Sequence, residues 1–286
     1  MNQLRKKFSR RKFLAAVGLL GAGGVGGIGY TRCVEPHWLG VGRHTVKVSK
    51  SAGRAPLKLL QLSDFHASRF VSLDFIAEAI RLGLAEKPDL ICLTGDFITS
   101  HFSEFVAYGK ILRPLAASAP TFACLGNHDG GSWSARAGGY ADTRAVRDLL
   151  AGSGVELLHN AARTVRVADW DLTLVGLGDL WAKEIQPQLA FPTAAPVAPT
   201  VVLSHNPDSK ELVRTVAWDL MLCGHTHGGQ LRLPLLGTPF APVEDMRFVE
   251  GLHRWDDRWI HITRGVGNLH GVRFNCPPEV SLLTLT

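Results

Sequence analysis

From residue 57 onward, short apolar runs alternate with longer segments in which apolar residues recur every three or four positions. The short runs are almost wholly apolar, which is typical of strands buried on both faces, and the longer segments are typical of helices that bury one face. Strands that alternate with helices indicate βαβ units and a mostly parallel sheet. We predict strands at residues 57–62, 89–95 and 121–126, and helices at residues 73–87, 105–117 and 143–154, the second of them with a late proline break.

The second half of the chain has a different pattern. Residues 163–168 and 171–177 alternate apolar and polar positions, as paired antiparallel strands do. Residues 186–199 are rich in proline and alanine and predict a loop. No linker-like break follows residue 56, so we expect residues 57–286 to form one domain with a common core. Further strands are predicted at residues 44–49, 200–205, 219–225, 258–263 and 280–285, with a short helix near 208–216.

The first 32 residues differ from the rest of the chain in charge. They hold seven of the 31 Lys and Arg residues and no acidic residue, whereas the remainder carries 24 basic and 25 acidic residues. The formal net charge of +6 therefore belongs to this segment. Nucleic-acid binding is not expected, because it requires Lys and Arg clustered on the folded body.

The same segment predicts export. Residues 9–14 read Ser-Arg-Arg-Lys-Phe-Leu, and the uncharged stretch 13–30 contains seven glycines. Paired arginines before a weakly apolar, glycine-rich stretch are typical of a signal for the twin-arginine export machinery. A membrane anchor is the alternative, since no A-x-A cleavage site precedes Cys33. We expect a signal or anchor in residues 1–32, a lead-in segment in residues 33–56, and a location on the periplasmic side of the cell envelope, with membrane attachment through residues 13–30 as an open alternative.

The cysteines do not indicate a disulfide framework or a thiolate metal site. There are five of them, an odd number, and no C-x-x-C pair occurs. Cys92, Cys124 and Cys223 lie within apolar runs, which predicts buried free thiols.

Residues of the types that commonly bind metal ions follow five of the predicted strands. In an open α/β sheet, ligands bind at the carboxyl ends of the strands. Each cluster alone is explained by a turn, a helix cap or a solvated histidine. Five clusters at five strand ends are better explained by one metal site. The clusters are Asp64 with His66, Asp96 after Gly95, residues 126–129 (Gly-Asn-His-Asp), His205, and His225 with His227.

The motif order D-x-H, G-D, G-N-H-D, a separate His and G-H-x-H resembles that of the calcineurin-like metallophosphoesterases. The resemblance extends from about residue 57 to the C-terminus, and residues 228–237 and 273–285 are similar to its YaeI/YkuE-like phosphodiesterase branch. It implies an α/β fold, a four-layer αββα sandwich, with a dinuclear metal site on its loops. It further implies that Asp64, His66 and His227 bind one metal ion, that Asn127, His205 and His225 bind the other, that Asp96 bridges them, that His128 contacts the phosphate or acts as the leaving-group acid, and that Asp129 orients His128.

The chemistry of the residues is consistent with this resemblance. Two divalent cations can clamp the attacking and leaving oxygens of an anionic phosphodiester and make hydroxide available near neutral pH. Ligation by His, Asp and an Asn carbonyl suits Mn²⁺, Fe or Zn²⁺ better than Ca²⁺. An imidazolium at His128 is suited to protonate the leaving group.

We therefore predict an exported phosphodiesterase that hydrolyses a phosphodiester or pyrophosphate bond of a cell-envelope substrate, such as a lipid or a wall polymer. Three alternatives stay open: a phosphomonoesterase or protein phosphatase with the same metals, a UDP-2,3-diacylglucosamine pyrophosphatase-like enzyme of lipid A assembly, and a non-catalytic envelope-binding module. Trp133, Tyr140 and Trp181 are candidates to contact substrate or to cover the core, and Arg273 is a candidate phosphate contact or surface ion pair.

Overall fold

The computed structural model describes residues 26–48, 53–193 and 197–286. The paired arginines and most of the uncharged stretch of the predicted signal lie outside the described residues. In the part of the chain that is described, no helix is both long enough and apolar enough to cross a membrane.

The described residues include twelve strands and five complete α-helices, besides helical residues 26–29 and short 3₁₀ and π segments. The strands are β1 (Gly40–Val46), β2 (Leu57–Leu62), β3 (Leu90–Thr94), β4 (Thr121–Cys124), β5 (Glu156–Leu157), β6 (Ala161–Val167), β7 (Trp170–Gly176), β8 (Thr200–Leu203), β9 (Leu220–Cys223), β10 (Gly251–Trp255), β11 (Arg258–Ile262) and β12 (Glu279–Leu285). The helices are α1 (Leu73–Ala85), α2 (Phe105–Ser118), α3 (Gly131–Arg136), α4 (Arg144–Gly152) and α5 (Pro187–Ala190).

The strands form two six-stranded sheets. The first has the order β1-β12-β2-β3-β4-β5 and the second the order β10-β11-β9-β8-β7-β6. Strands β2 to β5 run parallel, and so do β7, β8, β9 and β11 in the other sheet. Each block of parallel strands therefore collects its carboxyl ends at one edge. The C-terminal strand β12 returns to the first sheet, so the two halves of the chain share one core.

The layers are stacked as the predicted αββα sandwich. Apolar side chains from the inner faces of the two sheets pack together, among them Leu59 on β2 and Leu222 on β9. Helices α1, α2 and α4 cover the outer face of the first sheet. The outer face of the second sheet is covered by α5 and by short 3₁₀ turns at Pro207–Glu211 and Met246–Phe248. The predicted fold class is confirmed, and its fourth layer is thin because it contains only short helices.

Helix α2 continues through Pro114 to Ser118, where the sequence predicted a break. Proline removes one backbone N–H donor and costs about 3 kcal/mol inside a helix. The side chains of Leu112 and Leu115 are buried in the core that this helix shares with the first sheet, and Ser118 Oγ donates to the carbonyl of Pro114 at 2.7 Å. Packing on both sides of the proline therefore keeps the last turn helical.

Four elements were absent from the predicted pattern. Strand β5 has two residues and α3 has six, so neither is long enough to display a period. Strand β10 lies at the edge of its sheet and buries only Trp255 fully. Helix α5 lies within the predicted loop 186–199, where Pro187 opens a single helical turn.

Candidate metal centre

The polar clusters that follow the strands meet at one edge of the two stacked sheets. Residues after β2, β3 and β4 reach this edge from the first sheet, and residues after β8 and β9 reach it from the second. Their side chains are buried, except for that of His128, which is partly exposed in a cleft. All nine predicted site residues come together here: Asp64, His66, Asp96, Asn127, His128, Asp129, His205, His225 and His227.

Asp64, His66 and His227 form the first cluster. Asp64 Oδ1 lies 4.0 Å from His66 Nε2 and 3.5 Å from His227 Nε2, and these two nitrogens are 3.0 Å apart. The hydroxyl of Thr99 is 2.7 Å from His66 Nδ1 and holds the ring with its other nitrogen towards the cluster. Three ligand atoms therefore converge from two sheets on one position.

Asp96, His205 and His225 form the second cluster. His205 Nε2 lies 3.1 Å from Asp96 Oδ2 and 3.2 Å from His225 Nδ1. The other ring nitrogen, His205 Nδ1, donates to the carbonyl of Thr94 at 2.8 Å. In the neutral ring, Nε2 therefore directs a lone pair at a carboxylate oxygen, an arrangement that requires a proton or another cation.

Asp96 contacts a histidine of each cluster. Its Oδ2, which contacts His205, is also 3.4 Å from His66 Nε2. Its Oδ1 accepts from the backbone N–H of His128 at 2.9 Å, so the carboxylate is held in one orientation. Asn127 lies next to it and presents a buried carbonyl oxygen without a hydrogen-bond partner.

Asp129 has different partners from the one that the resemblance implied. Its carboxylate accepts from the backbone N–H groups of Asp96 at 2.9 Å, Phe97 at 2.7 Å and Gly126 at 2.8 Å. Its hydrogen bonds run to the turn that carries Asp96 rather than to the ring of His128. Asp129 thus fixes the backbone of the shared ligand.

The histidines of the site are held in two different charge states. Burial lowers the pKa of His66 to about 3 and lowers the pKa values of His225 and His227 well below the usual range. These rings are neutral, which is the form that binds a metal ion. Burial also opposes protonation of His205, but the neighbouring carboxylates, Asp96 first, raise its pKa well above the usual value. The carboxylates therefore favour a positive charge at this position, which a bound metal ion would supply.

Comparison with known proteins agrees with this geometry. Residues 57–229 match the family described as Calcineurin-like phosphoesterase. The chain belongs to this family. It is a hydrolytic enzyme of the metallophosphoesterase type, as the sequence predicted.

Three relatives illustrate where the chain lies within the calcineurin-like phosphoesterases. It is 48% identical over 278 residues to the phosphodiesterase YaeI of Escherichia coli strain K12, covering 97% of this chain and 99% of the relative. It is 32% identical over 289 residues to the uncharacterized metallophosphoesterase YkuE of Bacillus subtilis, covering 98% of each. It is 27% identical over 299 residues to the UDP-2,3-diacylglucosamine pyrophosphatase LpxG of Chlamydia trachomatis, covering 87% and 90%. The predicted membership of the YaeI/YkuE-like branch is confirmed.

The donor set of this calcineurin-like phosphoesterase fits divalent metal ions. Imidazole nitrogens with carboxylate and amide oxygens match Mn²⁺, Fe and Zn²⁺. One expected ligand atom, Asn127 Oδ1, is buried without a hydrogen-bond partner, which is costly unless a bound ion satisfies it.

Asp179 is a site residue that the sequence reasoning missed. It follows β7 and Gly178, in the same Gly-Asp order as Asp96 after β3, so the signal was present. It is almost fully buried, and its carboxylate accepts from the backbone N–H of Ala182 at 2.8 Å. This turn carries Trp181, whose ring packs edge-on against His225 at 4.2 Å. Asp179 therefore positions the wall of the metal centre.

Trp133, Tyr140, Trp181 and Arg273, whose roles the sequence left open, lie in three different surroundings. Trp133 and Trp181 line the cleft, 5.5 Å apart between ring centroids, and Trp133 also packs on His128. Tyr140 packs against the core, and its hydroxyl bonds to the carbonyl of Phe102. Both interpretations of Arg273 were wrong.

Arg273 is fully buried and serves the backbone. Its guanidinium donates to the carbonyls of Arg264 at 2.8 Å and Cys276 at 3.0 Å, and also bonds to those of Gly265 and Gly267. These bonds hold the loop that lies behind Asp64. The sequence could not reveal this role, because each partner is a backbone carbonyl.

The cleft in front of the metal centre has a volume of about 1300 Å³. Its floor contains Asp96, Asn127 and His128, and its outer part contains Phe70 and Phe240, both exposed. Polar groups at the floor and apolar groups at the rim suit an amphipathic substrate.

Proposed function

We propose that this phosphoesterase is an exported phosphodiesterase with two divalent metal ions, and that it hydrolyses a phosphodiester or pyrophosphate bond of a cell-envelope lipid or wall polymer. The proposal of two metal ions rests on the position of Asp96. Its Oδ2 lies 3.4 Å from a histidine nitrogen of one cluster and 3.1 Å from a histidine nitrogen of the other. A carboxylate between two sets of ligands is suited to bridge two ions.

The clusters divide the ligands between the two ions. Asp64, His66 and His227 hold one ion, and Asn127, His205 and His225 hold the other. When bound, the two ions polarise the phosphoryl oxygens and lower the pKa of a water molecule. Mn²⁺, Fe and Zn²⁺ all suit this donor set.

His128 acts on the substrate as a neutral hydrogen-bond donor. Burial lowers the pKa of this imidazole, which favours the neutral ring. Trp133 packs against the ring at 4.7 Å and restricts its rotation. A neutral imidazole fixed in the cleft donates one N–H to a phosphoryl oxygen, where negative charge develops in the transition state.

The rim of the cleft supports a lipid-linked substrate. Phe240 lines the cleft, and Leu235 and Leu236 lie on the same loop. All three side chains are more than two-thirds exposed. Exposed apolar groups around a cleft are typical of sites that receive an apolar partner. The relative named UDP-2,3-diacylglucosamine pyrophosphatase supports a nucleotide-linked lipid as the second candidate substrate.

Export rests on the sequence of the first 32 residues. Replacing Arg10 and Arg11 by lysine keeps the charge and removes the paired arginines. We expect the variant to accumulate in the cytoplasm, measured by fractionation and immunoblotting, while the native chain reaches the envelope. Equal amounts of both in the envelope would contradict the twin-arginine route.

The catalytic proposal is tested with the full-length protein, reloaded with each metal in turn. We expect bis-p-nitrophenyl phosphate to be hydrolysed faster than p-nitrophenyl phosphate. The reverse order would favour the phosphomonoesterase or protein phosphatase alternative. Asp96→Asn should lower diesterase activity at least about 100-fold, since the shared ligand is lost. Asp171→Asn, a matched change at an exposed carboxylate, should leave it unchanged. Unchanged activity in Asp96→Asn would support a non-catalytic binding module.

A further inference from the structure

A second cluster of potential metal ligands lies outside the cleft, between the two sheets. It consists of His44 on β1, His261 on β11 and Glu279 at the start of β12. One ligand atom of each lies within 4.8 Å of the other two. His261 and Glu279 are buried, and His44 is half-buried at the edge of the first sheet. The cluster is therefore formed inside the protein but reached from solvent.

The hydrogen bonds of Gln61 define the protonation of His261. The amide nitrogen of Gln61 donates to the carbonyl of Cys223 at 2.9 Å and to the hydroxyl of Thr94 at 3.0 Å. Its oxygen therefore faces His261 Nδ1, 2.7 Å away. Because this oxygen only accepts, His261 Nδ1 carries the ring proton and Nε2 carries a lone pair.

That lone pair has no partner. His261 is fully buried, and its Nε2 makes no hydrogen bond. A histidine that donates one ring N–H to a carbonyl oxygen and presents the other nitrogen bare is the usual arrangement of a metal ligand. Burial lowers the pKa values of both His261 and His44, and the neutral rings are the ligating form.

Glu279 is oriented by its own partners. Its Oε1 accepts from Ser281 Oγ at 2.7 Å, and its Oε2 pairs with Arg264 Nε at 2.7 Å. Each carboxylate oxygen retains a second lone pair. A Cβ at position 42 would overlap the carboxylate, so Gly42 on β1 leaves the space that the carboxylate occupies.

We propose that His44, His261 and Glu279 form a third metal site, separate from the two ions of the cleft. Two imidazoles and one carboxylate are a zinc donor set, and the half-buried side of His44 leaves a position for water. The ion joins β1 and β12 of the first sheet to β11 of the second. Because it binds only the folded chain, it stabilises the contact between the sheets.

The first test counts zinc in the full-length protein after equilibrium dialysis, by mass spectrometry of the metal. In the native protein the ring centroids of His44 and His261 are 4.6 Å apart. His44→Phe removes the ligand and keeps an aromatic ring at this position. His37→Phe is the matched control, since His37 belongs to neither set of ligands. We expect His44→Phe to hold one zinc ion per chain fewer than the native protein and the control, with diesterase activity unchanged. Equal zinc content in all three would overturn the third site.

The second test uses thermal unfolding of the protein with its catalytic ions already bound. Added Zn²⁺ should raise the melting temperature of the native chain and of His37→Phe but not that of His44→Phe or Glu279→Gln. Added Mg²⁺ should give no such difference, because Mg²⁺ prefers oxygen ligands. An equal rise with Zn²⁺ in all four proteins would overturn the proposal. A double variant, Asp96→Asn with His44→Phe, should hold fewer metal ions than His44→Phe alone. This further loss would show that the third site and the ions of the cleft use different ligands.

Discussion

Five of the candidate ligands have a left-handed backbone conformation, which residues other than glycine seldom adopt. This conformation costs about 1–2 kcal/mol for each such residue. It lets the chain turn sharply at the end of a strand and direct the side chain towards the other sheet. The five lie in contact with one another, as expected where strain serves a site. They are Asp64, His66, Asp96, His225 and His227, with φ between 48° and 70°.

Gly224 provides the space that Asp64 occupies. A Cβ at this position would overlap Asp64 Oδ2 and Ser63 Oγ, and its φ is not positive, so alanine meets a steric obstacle rather than backbone strain. We expect Gly224→Ala to displace the Asp64 carboxylate and lower metal affinity and diesterase activity about 10- to 100-fold. Gly40→Ala, where a Cβ meets nothing within 4 Å, is the control. Equal metal content in both variants would show that Asp64 does not need this space.

Asp179 gives a pH-dependent prediction. Burial raises its pKa to about 6, and its Oδ2 has no hydrogen-bond partner. The folded protein therefore favours the protonated form, and ionisation costs stability as pH rises through 6. We compare the free energy of unfolding of metal-free Asp179→Asn with that of the metal-free native chain at two pH values. The variant's advantage over the native chain should be larger at pH 7.5 than at pH 4.5, by on the order of 2 kcal/mol. Denaturant unfolding at the two pH values measures this difference.

The exposed Asp171→Asn should show no comparable pH dependence. If Asp179→Asn behaved like this control, Asp179 would already be ionised at low pH in the folded protein.

Sequence reasoning found the side chains of the site that belong to a spaced motif and missed those defined by tertiary contacts. Thr99 was missed because a hydroxyl opposite His66 Nδ1 leaves no mark in the sequence. Arg273 was misassigned because its partners are backbone carbonyls. Asp179 was missed although its Gly-Asp signal was available.

Buried elements were predicted more accurately than exposed ones. Strand β2 was predicted with its observed bounds, because packing on both faces leaves an uninterrupted apolar run. Strand β10 was missed because an edge strand with one solvated face needs few apolar residues. Helix α2 was predicted to break at Pro114, since local sequence does not reveal how much packing the following turn makes.

Pro114 allows the packing of α2 to be tested. The residue is exposed, so its replacement by alanine removes few packing contacts. The change restores the backbone N–H donor and removes the pyrrolidine ring. We expect Pro114→Ala to raise the free energy of unfolding by about 1–3 kcal/mol, the gain being reduced by the greater freedom of the unfolded chain. Thermal unfolding measures it. As a control, Ala117→Pro, in the last turn, should be destabilising. If Pro114→Ala were no more stable than the native chain, the last turn would not depend on the missing hydrogen bond.

At the scale of the whole molecule, Thr31, near the start of the described residues, lies close to the cleft. The backbone N–H of Arg273 donates to the carbonyl of Thr31 at 2.9 Å, and the neighbouring Val272 lines the cleft. Thr31 therefore lies beside the rim of the cleft. If residues 13–30 attach the chain to a membrane, the alternative that the sequence left open, we expect the cleft and the exposed loop with Leu235 and Leu236 to lie close to the lipid surface.

This arrangement predicts a selective defect when the loop loses its apolar side chains. Leu235→Ser with Leu236→Ser should lower hydrolysis of a lipid-linked diester in vesicles by about tenfold or more, because each leucine contributes roughly 1.5–3 kcal/mol when buried in lipid. Hydrolysis of soluble bis-p-nitrophenyl phosphate should not change, since neither residue reaches the metal centre. Val106→Ser with Leu212→Ser, two exposed residues that do not line the cleft, should affect neither assay. Equal losses on both substrates would place the effect in the fold, and no loss on either would remove the loop from lipid recognition.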